Sequence, residues 1–201
     1  MRARTYASAG AFKAALDQRL RKVAEPGVGI TRRRQLLVFD RYLARLTRIL
    51  GNAATLKGGL ALEVRLDRAR TTRDIDLRLA GSSDGLLARL QEAGRLDLGE
   101  FMTFDVRADG RHPNITGPGV HYEGQRFRAE CRVAGMLYGR AFGVDVAFGD
   151  PMLGEPDVVT GDDLLAFAGI EPATYRLYPV ETHLAEKLHA YTLPRTGRLT
   201  A

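Results

Sequence analysis

Lys57-Gly58-Gly59-Leu60-Ala61-Leu62-Glu63-Val64-Arg65-Leu66, a polar stretch from Asp67 to Thr72, and then Asp74-Ile75-Asp76-Leu77-Arg78-Leu79 decide the fold between them. The last run alternates polar and apolar residues, the period of a strand with one buried face. Asp74 and Asp76 therefore project from the same face, while Ile75 and Leu77 point into a core. The segment before it reads as a short stretch ending at Lys57, a glycine pair, and a helix. Two carboxylates on one strand face repel each other, and a divalent cation offsets that cost. Hard oxygen ligands clustered in this way suit Mg²⁺ alongside substrate phosphates. Gly58 and Gly59, lacking side chains, let backbone N–H groups approach an anion at the start of the following helix, where the helix dipole adds to the attraction. A phosphate cradle beside a carboxylate-held metal is the minimum equipment for in-line phosphoryl transfer.

Working outward, residues 82–94 read as a helix with Leu86, Leu87 and Leu90 inward and Gly94 at its end. Phe101–Arg107 and Gln125–Val133 alternate as strands, and His112–Gly119, rich in Pro and Gly, reads as loop. Residues 135–139 turn the chain into another strand, Phe142–Phe148, which carries Asp145 between Val144 and Val146. Asp145 is a candidate third carboxylate, either for metal or as a base on a neighbouring strand. A turn at Gly149-Asp150-Pro151 follows, and Pro179 starts a final helix over 180–192. Upstream, Ser8 caps a helix over 8–24, Pro26, Gly27 and Gly29 break it, and Thr31 caps a second helix over 31–50. Arg32, Arg33 and Arg34 fall in the first turn of that helix, where the dipole disfavours cations, and extending into water is the expected outcome. The fold class that results is α+β (mixed α/β): a short mixed sheet flanked by helices, with helical N- and C-terminal additions. The organisation expected is a helical segment over 1–52, a core over 53–150 and a C-terminal helical segment over 151–201. No internal repeat is visible.

At 201 residues with 45% apolar content the chain can bury a proper core. Its net charge of +6 comes largely from arginine, which suits a phosphate-bearing partner, although an arginine-favouring genome would give the same balance. The single cysteine, Cys131, excludes an internal disulfide framework. No apolar run is long enough for a signal peptide or a membrane span, so the expectation is a cytoplasmic protein with no membrane partner. No G-x-S-x-G, P-loop or dinucleotide-binding fingerprint occurs. His183 and His189 lie six apart on one helix, off a common face, which argues against a zinc pair.

These residues carry a family resemblance. Lys57-Gly58-Gly59-Leu60-Ala61-Leu62 followed by Arg70-Thr71-Thr72-Arg73-Asp74-Ile75-Asp76-Leu77 resembles the signature of the AbiEii/AbiGii-type nucleotidyltransferase toxins, the MenT toxins among them. That group belongs to the DNA-polymerase-β-like nucleotidyltransferase superfamily. Fourteen residues (60–73) separate Gly59 from Asp74, a wider spacer than the superfamily's usual one of about ten. A second block, Glu186-Lys187-Leu188-His189-Ala190-Tyr191-Thr192, is similar to the group's helical lysine motif. The resemblance runs from about Thr55 to the C-terminus.

It implies that Asp74 and Asp76, with Asp145, hold Mg²⁺ or Mn²⁺, that Lys57, Gly58 and Gly59 bind the nucleotide, and that Lys187 contacts its phosphates. Lys187 lies three residues after Leu184 and four before Tyr191, at the edge of the apolar stripe, and so is expected to aim toward the protein body. Thr72 stands where related toxins bear a phosphorylatable hydroxyl, and a phosphate there would put negative charge beside the carboxylates. The implied activity is transfer of NMP from an NTP to the 3′ end of tRNA, blocking translation, with a cognate antitoxin as partner. Transfer to a small molecule or protein, or binding of nucleotide or RNA without catalysis, stays open. Arg70, Arg73, Arg78, Arg126, Arg128, Arg132 and Arg140 are candidates for a basic face toward RNA. Tyr122, Tyr138 and Tyr175 are expected to pack rather than stack on bases. Toxins of this group usually carry a Lys/His-Asp-x-x-Asp type motif after the lysine helix. Residues 193–201 hold no aspartate, so the expectation is a shortened version of a longer chain.

Overall fold

The computed structural model describes residues 5–23, 29–66, 71–115 and 123–192. Arg70, Tyr122, the 116–119 part of the expected loop and the segment 193–201 lie outside the described residues. Ala9–Lys22 (α1) and Ile30–Leu50 (α2) come first, and Ala54–Lys57 (β1) leads directly into Gly58–Arg65 (α3). Asp74–Leu79 (β2), Leu86–Arg95 (α4), Met102–Ala108 (β3), Glu123–Val133 (β4), Met136–Leu137 (β5) and Phe142–Phe148 (β6) follow. Asp157–Thr160 (β7), Thr174–Leu177 (β8) and Val180–Thr192 (α5) complete the order.

The described strands form one mixed sheet in the order β3-β4-β6-β2-β1-β8-β7, with β5 pairing against β4. β2 runs parallel to β6 and antiparallel to β1, and β1 runs parallel to β8. This is the expected mixed α/β class, but the sheet is broader than a short one. β7 and β8, which the sequence reading did not find, extend it beyond β1.

Alternation is what divides the sheet's two faces. Ile75, Leu77 and Leu79 of β2, Val144 and Val146 of β6, and Phe127, Ala129, Cys131 and Val133 of β4 are all buried. Helix α2 packs its aromatic residues here. The Phe39 and Tyr42 rings lie 5.1 and 5.9 Å from that of Phe142, and Tyr42 lies 5.0 Å from Phe104. Burial of side chains of this size contributes roughly 1.5–3 kcal/mol each, so this face is a substantial part of the core. Tyr138 and Tyr175 are buried as well, which agrees with their expected packing role.

Three local expectations need correction. Ser8 does cap α1, accepting from the Ala11 amide at 3.3 Å, but Thr31 lies inside α2, whose cap is Gly29 with no side-chain bond. Gly94 does not end α4. It sits within the helix, where an added Cβ would come 2.3 Å from the Phe104 carbonyl oxygen of β3, so it is small to let helix and strand meet. The first-turn arginines of α2 do not simply extend into water. Arg32 binds Glu63 of α3 and donates to the Thr72 carbonyl at 2.8 Å, and Arg34 reaches Asp17 at 3.2 Å over the Tyr138 ring. Local anions overcome the unfavourable dipole.

Candidate active site

The charged face of the sheet is ordered by strand register. Lys57 pairs with Asp76 across β1 and β2, Asp76 with Asp145 across β2 and β6, and Asp145 with Arg126 across β6 and β4. Directly paired residues share a face, so Asp76 and Asp145 are neighbours on it. Asp74, one step along, is opposite Gly143 and accepts from its amide at 2.9 Å. A Cβ at position 143 would lie 2.7 Å from the Asp74 carboxylate. Gly143 is thus part of the site that the sequence reading passed over. A glycine in the interior of an otherwise apolar strand was its visible signal.

Gly58 closes the site from the other side. Its φ of +66° is a conformation that favours glycine, and a Cβ there would fall 1.9 Å from Asp76 Oδ2. The main chain can approach the carboxylate this closely only without a side chain. Gly59 meets Thr72 in the same way, at 3.0 Å. The N-terminus of α3 has no side-chain cap, which leaves its first N–H groups as donors facing the edge of the site.

The electrostatics match this geometry. Burial pushes the Asp76 carboxyl up to about 6, and the negative charges of Asp145 and Asp74 push in the same direction, against the opposing charges of Lys57 and Lys187. Asp145 is also raised, by burial first, while Arg126 pulls it back through charge and a 3.0 Å hydrogen bond from Nε to Oδ2. Among the described residues no group of three His, Cys, Asp or Glu side chains is arranged to hold a metal ion by itself. One oxygen each of Asp74 and Asp145 is engaged within the protein. What the face offers is a carboxylate pair on one strand with a third alongside. A cation here would offset the burial that chiefly raises Asp76 and the like-charge crowding that adds to it, and that donor chemistry fits Mg²⁺ shared with substrate oxygens.

The remaining expected residues are distributed as follows. Lys187 on α5 is exposed, not turned into the body as expected, yet its charge is felt at Asp76. Lys57 is buried, with its ammonium on Asp150 and 3.2 Å from Glu186. Thr72 is half-buried, and its hydroxyl donates to the Asp74 carbonyl at 3.3 Å. Its backbone is held by Arg32 through the carbonyl and by Glu63 through the amide, the latter at 3.2 Å. Arg128 and Arg107, cross-strand partners on β4 and β3, continue the row that begins at Asp74 and Gly143, and both are exposed. Arg78 donates to the Asp150 carbonyl at 2.7 Å.

With that arrangement in view, comparison with known proteins is specific. Residues 41–200 match the family described as nucleotidyl transferase AbiEii toxin, of type IV toxin–antitoxin systems. The chain belongs to that family. Among solved structures it is similar to MenT4, a nucleotidyltransferase toxin of Mycobacterium tuberculosis H37Rv, with TM-score 0.61 and 19% identity over 89% of this chain. It is also similar to JHP933 of Helicobacter pylori, with TM-score 0.54 and 15% identity over 86% of this chain. At those identities the likeness is one of fold. The AbiEii-family chain spans 58% of MenT4 and 62% of JHP933. A search of curated proteins by sequence gives no match. No helix among the described residues is long and apolar enough to cross a membrane.

Proposed function

We propose that this AbiEii-family chain is a metal-dependent nucleotidyltransferase toxin that moves NMP from an NTP onto the 3′ end of tRNA. The observation that carries the reading is the packing of Gly58 onto Asp76 within a row of carboxylates. A backbone anion cradle and an acidic pair occupy the same few ångströms, as triphosphate chemistry requires.

In this reading Asp74 and Asp76, with Asp145 beside them, would hold Mg²⁺ or Mn²⁺, which would supply positive charge to the crowded phosphate oxygens. Gly58, Gly59 and the start of α3 take the triphosphate through N–H groups. Lys187 reaches the leaving pyrophosphate from α5. Asp145 stands across from the pair, with one oxygen held by Arg126 at 3.0 Å, where it would accept the proton of the attacking hydroxyl. The acceptor oxygen then bonds to the α-phosphorus, the bond to pyrophosphate breaks, and the proton rests on the Asp145 carboxylate. Arg126 keeps that carboxylate oriented through one oxygen. Exposed Arg107 and Arg128 lie beyond it, where a nucleic-acid acceptor would pass. A cognate antitoxin would restrain the enzyme. Phosphorylation of Thr72 is one route, because a phosphate packed against Gly59 would occupy the cradle.

The test is incubation with Mg²⁺, each radiolabelled NTP in turn and total tRNA, beside Asp74→Ala. Label on tRNA from one NTP, lost in the variant and on chelation, is the expected result. Label on protein or a small molecule instead would replace the acceptor, and no label with any NTP or acceptor would overturn the reading.

A further inference from the structure

The residue before Lys187 is tied to the residue before Gly58. Lys57 ends β1 and lies under the site with only 8% of its surface exposed. Its ammonium is bound by Asp150 and lies 3.2 Å from Glu186 Oε1 and 5.2 Å from the centre of the Tyr178 ring. Asp150 is itself fixed. Its carboxylate accepts from the Tyr178 hydroxyl at 3.0 Å and its carbonyl from Arg78 at 2.7 Å. Tyr178 is fully buried, and its amide donates to the Leu56 carbonyl at 2.9 Å. Lys57 therefore has a rigid seat on the sheet, and Glu186 is what α5 extends to it.

Among the described residues, helix α5 shows few other ties to the body. Thr182 donates to the Leu153 carbonyl at 2.7 Å and His183 is buried, but Leu184 and Leu188 are exposed by 59% and 66%. Both of those ties are at the start of the helix. Lys187 lies more than a turn further on, and among the described residues Glu186 makes the ion pair that fixes that part of α5 to the sheet.

We propose that Lys57 and Glu186 form a positioning pair that sets the Lys187 ammonium over the nucleotide's phosphates, so that Lys57 acts on the nucleotide through α5. This rests on the reading of Lys187 as a phosphate ligand given above. One lysine, joined in the chain to the glycine cradle, thereby fixes the distance between the cradle and the second phosphate-binding group. Preorganisation of this sort lowers the ordering cost of binding. A shared cation also gives Glu186 a reason to precede Lys187 that has nothing to do with catalysis by Glu186.

The experiment is calorimetric titration of the full chain with NTP and Mg²⁺ for wild type, Glu186→Gln, Lys187→Ala and the double variant. Glu186 is a third exposed and Lys57 keeps Asp150 in its absence, so Glu186→Gln should fold, which thermal melting checks. The expected result is an affinity loss of about tenfold for Lys187→Ala and roughly threefold to fivefold for Glu186→Gln, sizes typical of a phosphate contact and of a partly exposed ion pair. The double variant should match Lys187→Ala alone, because Glu186 acts through Lys187. Glu186→Asp should recover part of the loss. Additive losses, or an unchanged affinity in Glu186→Gln while Lys187→Ala is weak, would overturn the pair. An unchanged affinity in Lys187→Ala would overturn the site reading instead, and the pair with it.

Discussion

Two regions of the molecule gather charge, and they do it in opposite ways. Beneath α2, Arg45 is fully buried and binds Glu100, with further bonds to the carbonyls of Arg41, Leu96 and Met102 at 2.8–3.0 Å. Arg41 approaches the same Glu100 at 3.5 Å. There, opposite charges converge and lock the 96–102 segment to the helix. On the carboxylate face, like charges converge instead, and Asp76, through burial first and its neighbours' negative charge second, holds its proton up to about 6. In the first region, oppositely charged groups of the chain pair directly with one another. In the second, Arg126, Lys57 and Lys187 offset the negative charge only in part, since Asp76 and Asp145 both stay raised, and that remainder of negative charge is what suits the face to a cation and its ligand.

Breaking each region should therefore have different consequences. The largest expected effect is on activity: Asp74→Ala should lower nucleotidyl transfer by at least ~10³-fold while leaving the melting temperature within a few degrees. A comparable loss of stability would place Asp74 in the first class of charge, not the second. Next comes Glu100→Ala, which strands Arg45 in the core and should cost roughly 3 kcal/mol of stability in denaturant titrations. Activity measured well below the melting point should survive.

A third measurement sharpens the contrast through pH. The folded state holds the Asp76 proton up to about pH 6, whereas the unfolded chain releases it near 3.8. The folded state thus binds more protons across that window, and this residue's contribution to stability falls as pH rises through it. His183, lowered to about 4 chiefly by burial, acts in the opposite sense between about pH 4 and its ordinary 6.5, so the useful quantity is a difference. Without divalent metal, Asp76→Asn should gain on wild type as pH rises from 4 to 7, by at most about 3 kcal/mol. Mg²⁺ should help wild type more than the variant. Parallel stability curves would refute the raised proton affinity of Asp76. The smallest effect is expected from Arg126→Leu, which removes the counter-charge bonded to Asp145 at 3.0 Å. With both groups partly exposed, it should cost no more than about 1 kcal/mol, recovered in part by Mg²⁺.

What the sequence made legible follows from how strongly each element is patterned. Asp74–Leu79 has a full two-residue period over six positions, and Phe142–Phe148 an apolar run around one aspartate, so both strands and their carboxylates could be placed. β7 and β8 are four residues each, too short for alternation to stand out, and β7 is largely exposed at the sheet edge. The partners of charged residues were hidden for another reason. Arg32 meets Glu63, Lys57 meets Asp150 and Glu186, and Arg45 meets Glu100 across separations of 31, 93, 129 and 55 residues. Local periodicity carries no information about such pairs, and the expectation of a solvated Arg32 failed on that account.

Gly143 has a consequence for how the strands find each other. Sliding β2 by one residue along β6 would bury both aspartates and expose Ile75 and Leu77, an error that the hydrophobic effect rejects at once. Sliding it by two keeps the apolar face inward and would pass that test. It would also take Asp74 away from the one position on β6 where a glycine makes room for its carboxylate. The missing side chain works like a notch in a key, rejecting the mispairing that apolar burial alone would accept.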